Sequence, residues 1–201
     1  MNKYSKKDFK KAVFALQNGD IIAHSTDTCY GFACDIFNRR ALASLYKLKK
    51  MAVGKPVSIL VADFKMAQEY GFFNKNAKAL ARKYWPGALT IIVKRKKSLP
   101  KFLNPETKTI GIRVPDHKLS LSLAKELGRP ITTTRANISG QPSPYSVSDI
   151  KKQFKGQTLQ PDFIIDSGRL NKNPPSTIVD AEGLSLKIIR QGSIQVSLSN
   201  D

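Results

Sequence analysis

The chain has 201 residues, of which 41% are hydrophobic, enough for one α/β domain with a well-buried core. Its 34 Lys and Arg against 15 Asp and Glu give a formal charge of +19, which suits a polyanionic partner (nucleotide, RNA or anionic lipid) but also plain solubility. Two cysteines, Cys29 and Cys34, exclude a disulfide framework or zinc ribbon; the absence of an apolar run near the roughly 18 residues of a membrane span, and of an apolar stretch behind the basic N-terminus, predicts a soluble, unexported, cytoplasmic protein that does not engage a membrane.

Phe9, Ala12, Val13 and Leu16 fall at the spacing of an amphipathic helix that Asn18 and Gly19 can stop, and a strand over Asp20 to His24 should follow. Ala41, Leu42, Leu45 and Leu48 repeat the helical pattern. Beyond Gly54, the run Pro56 to Ala62 reads as a short buried strand, and helices are predicted over Phe64 to Tyr70 and Asn76 to Tyr84. After the breaker Pro86-Gly87, Ala88 to Val93 and Thr109 to Val114 read as strands, and Leu119, Leu123, Ala124 and Leu127 as a helix face. The last third alternates in the same way: a strand near Ile131, a helix over Val147 to Phe154, and strands over Phe163 to Asp166, Thr177 to Asp180 and Leu186 to Arg190. Such alternation predicts one α/β unit over residues 1–194, with 195–201 as a polar tail.

Common nucleotide signatures are missing: Gly54-Lys55 is followed by Pro56, so there is no P-loop, and no G-x-G-x-x-G follows a strand. With His24 and His117 as the only histidines and no close His/Cys/Asp cluster, neither a metal site nor a Ser-His-Asp triad is supported. Polar residues crowd instead at the ends of predicted strands, where open α/β sheets keep their ligands. Ser25 to Asp35 reads STDTCYGFACD, either a site of hydroxyls, carboxylate and aromatic or a turn capping the next element. Lys47 to Ile59 reads KLKKMAVGKPVSI, whose Lys49, Lys50 and Lys55 either converge on phosphates or serve as ordinary helix C-terminal cations. In Gly111 to His117, GIRVPDH, Arg113 lies inside an apolar strand and needs a fixed anionic partner, either a ligand or an internal carboxylate such as Asp116. Thr132 to Gly140, TTTRANISG, is a strand running into a turn that offers donors to an anion or closes on itself.

Together and in this order, the four segments resemble the YrdC (Sua5-type) family, with its P-T-D/E-T-x-Y-G, K-x-R…K, R-V-P-x-H and T-S-A-N-x-S-G elements. The likeness extends to Trp85-Pro86-Gly87, to Asp166–Asp180 and to Ile188–Ile194, about residues 10–194 in all. It implies a twisted mixed sheet flanked by helices with a concave basic cavity, and threonylcarbamoyl-AMP synthase activity on L-threonine, bicarbonate and ATP, with magnesium beside the phosphates. The product would pass to a tRNA threonylcarbamoyl transferase complex for threonylcarbamoyladenosine (t6A) modification. Catalytic roles fall by resemblance on Lys49, Lys55 and Arg113. Substrate contacts fall on Thr28, Tyr30, Thr134, Arg135, Asn137, Ser139, Ser176, Thr177 and Arg190, with Thr28 and Tyr30 in the element that shapes the threonine pocket.

Three positions depart from the family pattern: Ser25 replaces a proline, Met51 the arginine of K-x-R, and Arg135 the serine of S-A-N. One cation is lost and one gained. The expectation is that Arg135 reaches the phosphate region and restores the charge missing at Met51; the alternative is that it pairs with a surface carboxylate. No C-terminal counterpart of the longer Sua5-type members follows, so the chain resembles the short form. The rival reading is a non-catalytic or repurposed member that binds RNA on its basic face.

Overall fold

The computed structural model describes residues 4–52 and 54–196, so that most of the tail expected at 195–201 lies outside the described residues. Sixteen elements follow in chain order: α1 (Lys6–Asn18), β1 (Ile22–Ser25), β2 (Tyr30–Ala33), α2 (Arg39–Leu48), β3 (Ser58–Leu60), α3 (Phe64–Tyr70), β4 (Gly71–Phe72), α4 (Lys75–Tyr84), β5 (Leu89–Arg95), β6 (Thr109–Arg113), α5 (Lys118–Leu127), β7 (Ile131–Arg135), α6 (Val147–Phe154), β8 (Phe163–Ile164), β9 (Thr177–Asp180) and β10 (Lys187–Arg190). Local chemistry sets their ends. The Ser5 hydroxyl accepts from Asp8 N–H at the start of α1, and Gly19 closes that helix with φ 83, a left-handed geometry that costs glycine little. The side chains of Asn38, Asp63, Asn74 and Ser146 cap α2, α3, α4 and α6 in the same way.

The strands form one mixed sheet in the order β10-β9-β5-β6-β3-β7-β2-β1-β8, with β4 joined to β5 outside that path. β1 and β8, β3 and β6, and β5 and β9 pair in parallel; the other pairings are antiparallel. Two strands were not anticipated. β2 lies inside STDTCYGFACD, where glycine and flanking polar residues mask a short Tyr-Gly-Phe-Ala strand, and β4 is only two residues long.

Strand alternation sorts side chains onto two faces. Phe32, Ile59, Ile91, Ile112 and Val179 point to the face covered by α2, α3, α4 and α6, and join the larger apolar cluster with Leu42, Leu45, Leu80 and Phe154. Phe32 meets Phe154 edge-on at 5.5 Å. The opposite face is covered only in part. Ile22, Ala33, Leu60 and Ile131 pack there under Leu16 of α1 and Leu119 and Leu123 of α5. Among the described residues no helix covers the rest of that face, and this gap holds the cavity.

Candidate active site

Register decides which residues reach the uncovered face. Thr133 of β7 pairs with Ser58 of β3, and Arg135 pairs with Gly31 of β2. Arg113 pairs with Leu60, two residues beyond Ser58 and therefore on the same side. Thr90 of β5 pairs with Ile178 of β9, which pairs in turn with Arg190 of β10. All of these but Leu60, which packs under α1 and α5, line one cavity of about 320 Å³, within the range of small-molecule sites. Three loops close its sides: Thr26 to Cys29 after β1, Met51 with Lys55 to Val57 after α2, and Asn137 to Tyr145 after β7. Among the described residues its lining holds five cations, Lys49, Lys55, Arg113, Arg135 and Arg190, and no carboxylate.

The five are not equivalent. Arg113 is buried, and its Nη2 meets Asp27 Oδ1 at 2.6 Å while its Nε donates to Gly87 O at 3.3 Å. Burial works against its charge, and Asp27 compensates. The internal carboxylate that satisfies Arg113 is thus Asp27, not Asp116; Asp116 contributes a backbone N–H to the same Asp27 at 3.3 Å. Lys49, the C-cap of α2, is also buried, and its Nζ donates to Arg135 O at 2.5 Å, Asn137 O at 2.8 Å and Asn137 Oδ1 at 3.0 Å. Burial first, and the nearby Arg135 second, draw its pKa down to about 7. Arg190 gives Nε and Nη2 to the carbonyl and hydroxyl of Ser176. Lys55 is exposed on the cavity wall, its backbone held by a bond from Tyr46 Oη to Lys55 O at 2.6 Å.

The hydroxyls and amides are arranged by local bonds. Thr26 Oγ1 accepts from Thr28 N–H and Cys29 N–H and donates to Cys29 O, a side-chain turn that leaves Thr28 Oγ1 3.5 Å from Arg113 Nη1. Both readings of STDTCYGFACD therefore hold: the segment turns the chain into β2 and lines the cavity. Asn137 braces its own turn, accepting from Lys49 and donating to Gln141 O, while Ser139 N–H returns to Lys49 O at 2.7 Å. Thr134 lines the cavity with its hydroxyl bonded to Arg135 O, and Ser176 with its hydroxyl against Thr90 Oγ1 at 3.1 Å.

Ten of the twelve residues singled out in the sequence line this cavity; Tyr30 and Thr177 do not. The reason is pleat parity. Tyr30 shares a side with Phe32, and Gly31 takes the cavity side; the buried tyrosine hydroxyl instead bonds Gly168 O at 2.8 Å and receives Ser167 N–H. Thr177 shares a side with Val179, while Ser176 and Ile178 face the cavity; its hydroxyl accepts from Gly192 and Ile194 N–H and donates to Ile194 O. Both brace cavity walls from behind.

Sequence reasoning did not single out Ser58, Thr90, Ser143 or Asn173, all of which line the cavity. Asn173 Nδ2 bonds Asp27 O at 2.9 Å, tying the loop after β8 to the loop after β1. Nothing in spacing marks these residues, since Ser58 and Thr90 depend on cross-strand register, and Ser143 and Asn173 on which loops meet in the folded chain. Arg135 faces the cavity and makes no ion pair among the described residues, so the expected alternative, a surface carboxylate, has no support.

The structure is thus an α/β protein whose mixed sheet has one face half open, with a cation-lined hollow in that opening that holds no carboxylate among the described residues and suits a small anion by charge. Residues 14–192 match the Sua5/YciO/YrdC family model, described as "Telomere recombination", and the chain belongs to that family. A relative from Methanocaldococcus jannaschii is 37% identical over 179 residues, 89% of this chain and 83% of that one. A threonylcarbamoyl-AMP synthase of Mus musculus is 34% identical over 178 residues, 85% of this chain and 61% of the mouse protein. The crystal structure of Pyrococcus abyssi Sua5 complexed with L-threonine has a TM-score of 0.85 at 28% identity, covering 92% of this chain and 54% of that one. The chain thus spans under two thirds of the mouse protein and about half of the archaeal Sua5.

Proposed function

We propose that this chain is an L-threonylcarbamoyladenylate synthase, a nucleotidyltransferase acting in the cytoplasm on L-threonine, bicarbonate and ATP. The observation that carries the reading is the composition of the cavity: five cations and no carboxylate among the described lining residues, with hydroxyls and an amide turn between them. The named relatives support the same chemistry.

In this reading the threonine amine and bicarbonate give a carbamate and water. A carbamate oxygen then attacks the α-phosphorus of ATP, the bond to the β-phosphate oxygen breaks, and pyrophosphate leaves. Displacement at phosphorus asks the protein for alignment and charge neutralisation rather than a covalent nucleophile. Thr28 and Arg113, side by side on one wall, would orient the amino acid. The turn through Asn137 and Ser139 would hold the nucleotide, and Lys55, Arg135 and Arg190 its phosphates. Magnesium would be carried mainly by the phosphates, with Ser and Thr hydroxyls as the protein's contribution, because among the described residues no cluster of three His, Cys, Asp or Glu is present. The product would pass to a tRNA threonylcarbamoyl transferase complex.

The test is release of pyrophosphate from ATP with and without threonine and bicarbonate. Turnover should require both co-substrates and fall at least about tenfold in Lys55→Ala, in keeping with loss of one charge-assisted contact. Turnover that is absent, or indifferent to both co-substrates, refutes the reading. RNA binding that disappears with added salt, in a protein without turnover, would instead favour the repurposed member suggested by the +19 charge.

A further inference from the structure

The cations of the cavity divide into those already committed to the protein and those open to a ligand. An ammonium has three N–H donors, and Lys49 has three acceptors: Arg135 O at 2.5 Å, Asn137 O at 2.8 Å and Asn137 Oδ1 at 3.0 Å. No donor is left over. Arg113 commits Nε to Gly87 and Nη2 to Asp27, which leaves Nη1 beside Thr28 for the amino acid, and Arg190 spends Nε and Nη2 on Ser176. Arg135 is different. It is exposed to the cavity, and among the described residues its guanidinium makes one bond, Nη1 to Ser143 Oγ at 3.3 Å, leaving most of its donor fork open.

The two kinds of cation are joined through the backbone. The shortest Lys49 bond goes to the carbonyl of Arg135 itself, at the very end of β7, and its other two hold the turn that follows. Ser139 N–H closes the loop on Lys49 O at 2.7 Å, so side chain and backbone of one lysine clamp both ends of the segment 135–139. Gly31 makes room for this arrangement: a Cβ there would lie 3.1 Å from Thr134 O, tight against the strand that presents Arg135.

We infer that Lys49 is a positioning residue whose object is Arg135, and that Arg135, together with Lys55 and the free Nη1 of Arg190, grips the phosphate oxygens of the ligand. The inference rests on the nucleotide reading above and refines it by withdrawing Lys49 from direct contact. Arg135 thereby fills, from the end of β7, the cationic role left empty by Met51 on the neighbouring loop. An arginine fork can take two phosphate oxygens at once, so a bidentate contact missing after α2 is supplied after β7.

The experiment is equilibrium binding of ATP, AMP and inorganic triphosphate to wild type, Arg135→Ser, Lys49→Met and the double variant. Arg135→Ser, at an exposed position, should bind ATP and triphosphate roughly tenfold to hundredfold more weakly and AMP nearly as well. Lys49→Met should show the same dependence on phosphate number, and the double variant should lose no more than the weaker single one, because both act through one contact. A merely structural lysine would weaken all three ligands alike. Lys49→Arg replaces Lys49→Met in the cycle should the latter not fold. Unchanged ATP affinity in Arg135→Ser overturns the inference, as do losses that add in the double variant, the signature of two independent contacts. A wild type that fails to bind ATP removes the nucleotide reading; the inference is then read on triphosphate alone, and falls if Arg135→Ser leaves that affinity unchanged.

Discussion

Replacing Asp27 by asparagine strips the counter-charge from a guanidinium that has almost no water. The Arg113 and Asp27 side chains are 6% and 13% exposed and 2.6 Å apart, so solvent screening is slight. Removing one partner of a buried pair costs roughly 3–5 kcal/mol, most of it the burial of the charge left behind. Asparagine keeps one acceptor oxygen, enough for Arg113 but not also for Asp116 N–H, which meets the other carboxylate oxygen, and the expected loss is at least about 3 kcal/mol. With a urea dependence of about 2 kcal/mol per molar, the midpoint should fall by roughly 1.5 M at an unchanged slope. The double variant Asp27→Asn/Arg113→Met removes the stranded charge and should regain most of the loss. A loss below about 1 kcal/mol in Asp27→Asn, or a double variant no more stable than the single, would refute the claim that this pair is electrostatically isolated and that Asp27 is what allows Arg113 to sit in the sheet.

Acid should act through His24, which is 1% exposed against Ser25 O and Ser120 Oγ; burial first, and His117 second, lower its pKa from 6.5 to about 4. Between those values the unfolded chain holds the proton that the native state refuses, so stability is full above pH 6.5 and falls by about 3 kcal/mol as pH drops to 4. Urea titrations at several pH values should show a shallower acid slope in His24→Leu, the part due to His117 remaining; an identical slope would assign the effect elsewhere. At Gly192 a Cβ would lie 2.6 Å from both Ser176 C and Thr177 N and closer still to Pro175 O, all backbone. Gly192→Ala should therefore cost more than about 2 kcal/mol and disturb Ser176, whereas Gly128→Ala, with open space around it, should cost about 1 kcal/mol for its positive φ alone. Thermal melts of the two variants check the ranking, and equal shifts would contradict it.

Helices were legible because each buries a stripe: Leu42, Leu45 and Leu48 in α2 and Leu119, Leu123 and Ala124 in α5 repeat at helical spacing and are buried. Strands with continuous apolar runs, such as β5, were legible for the same reason. β2 was not, because Gly31 and the polar residues before it read as a turn, and what makes this segment a strand is its pairing with β1 and β7. The site was readable as a set of segments, and much less so as individual side chains.

Residue types and their order along the chain are enough to declare an α/β protein of this family with an excess of cations near strand ends, since apolar period and motif chemistry are local properties. Three decisions lay beyond it. Strand register turned Tyr30 and Thr177 away from the cavity while bringing Ser58 and Thr90 into it. Asp27, 86 residues from Arg113, became its partner, and Lys49, 86 residues from Arg135, spent its charge on that residue's backbone. Such pairings are made by chain segments that meet only when the sheet is assembled, so only the folded molecule determines which charges are satisfied and which remain open to a ligand.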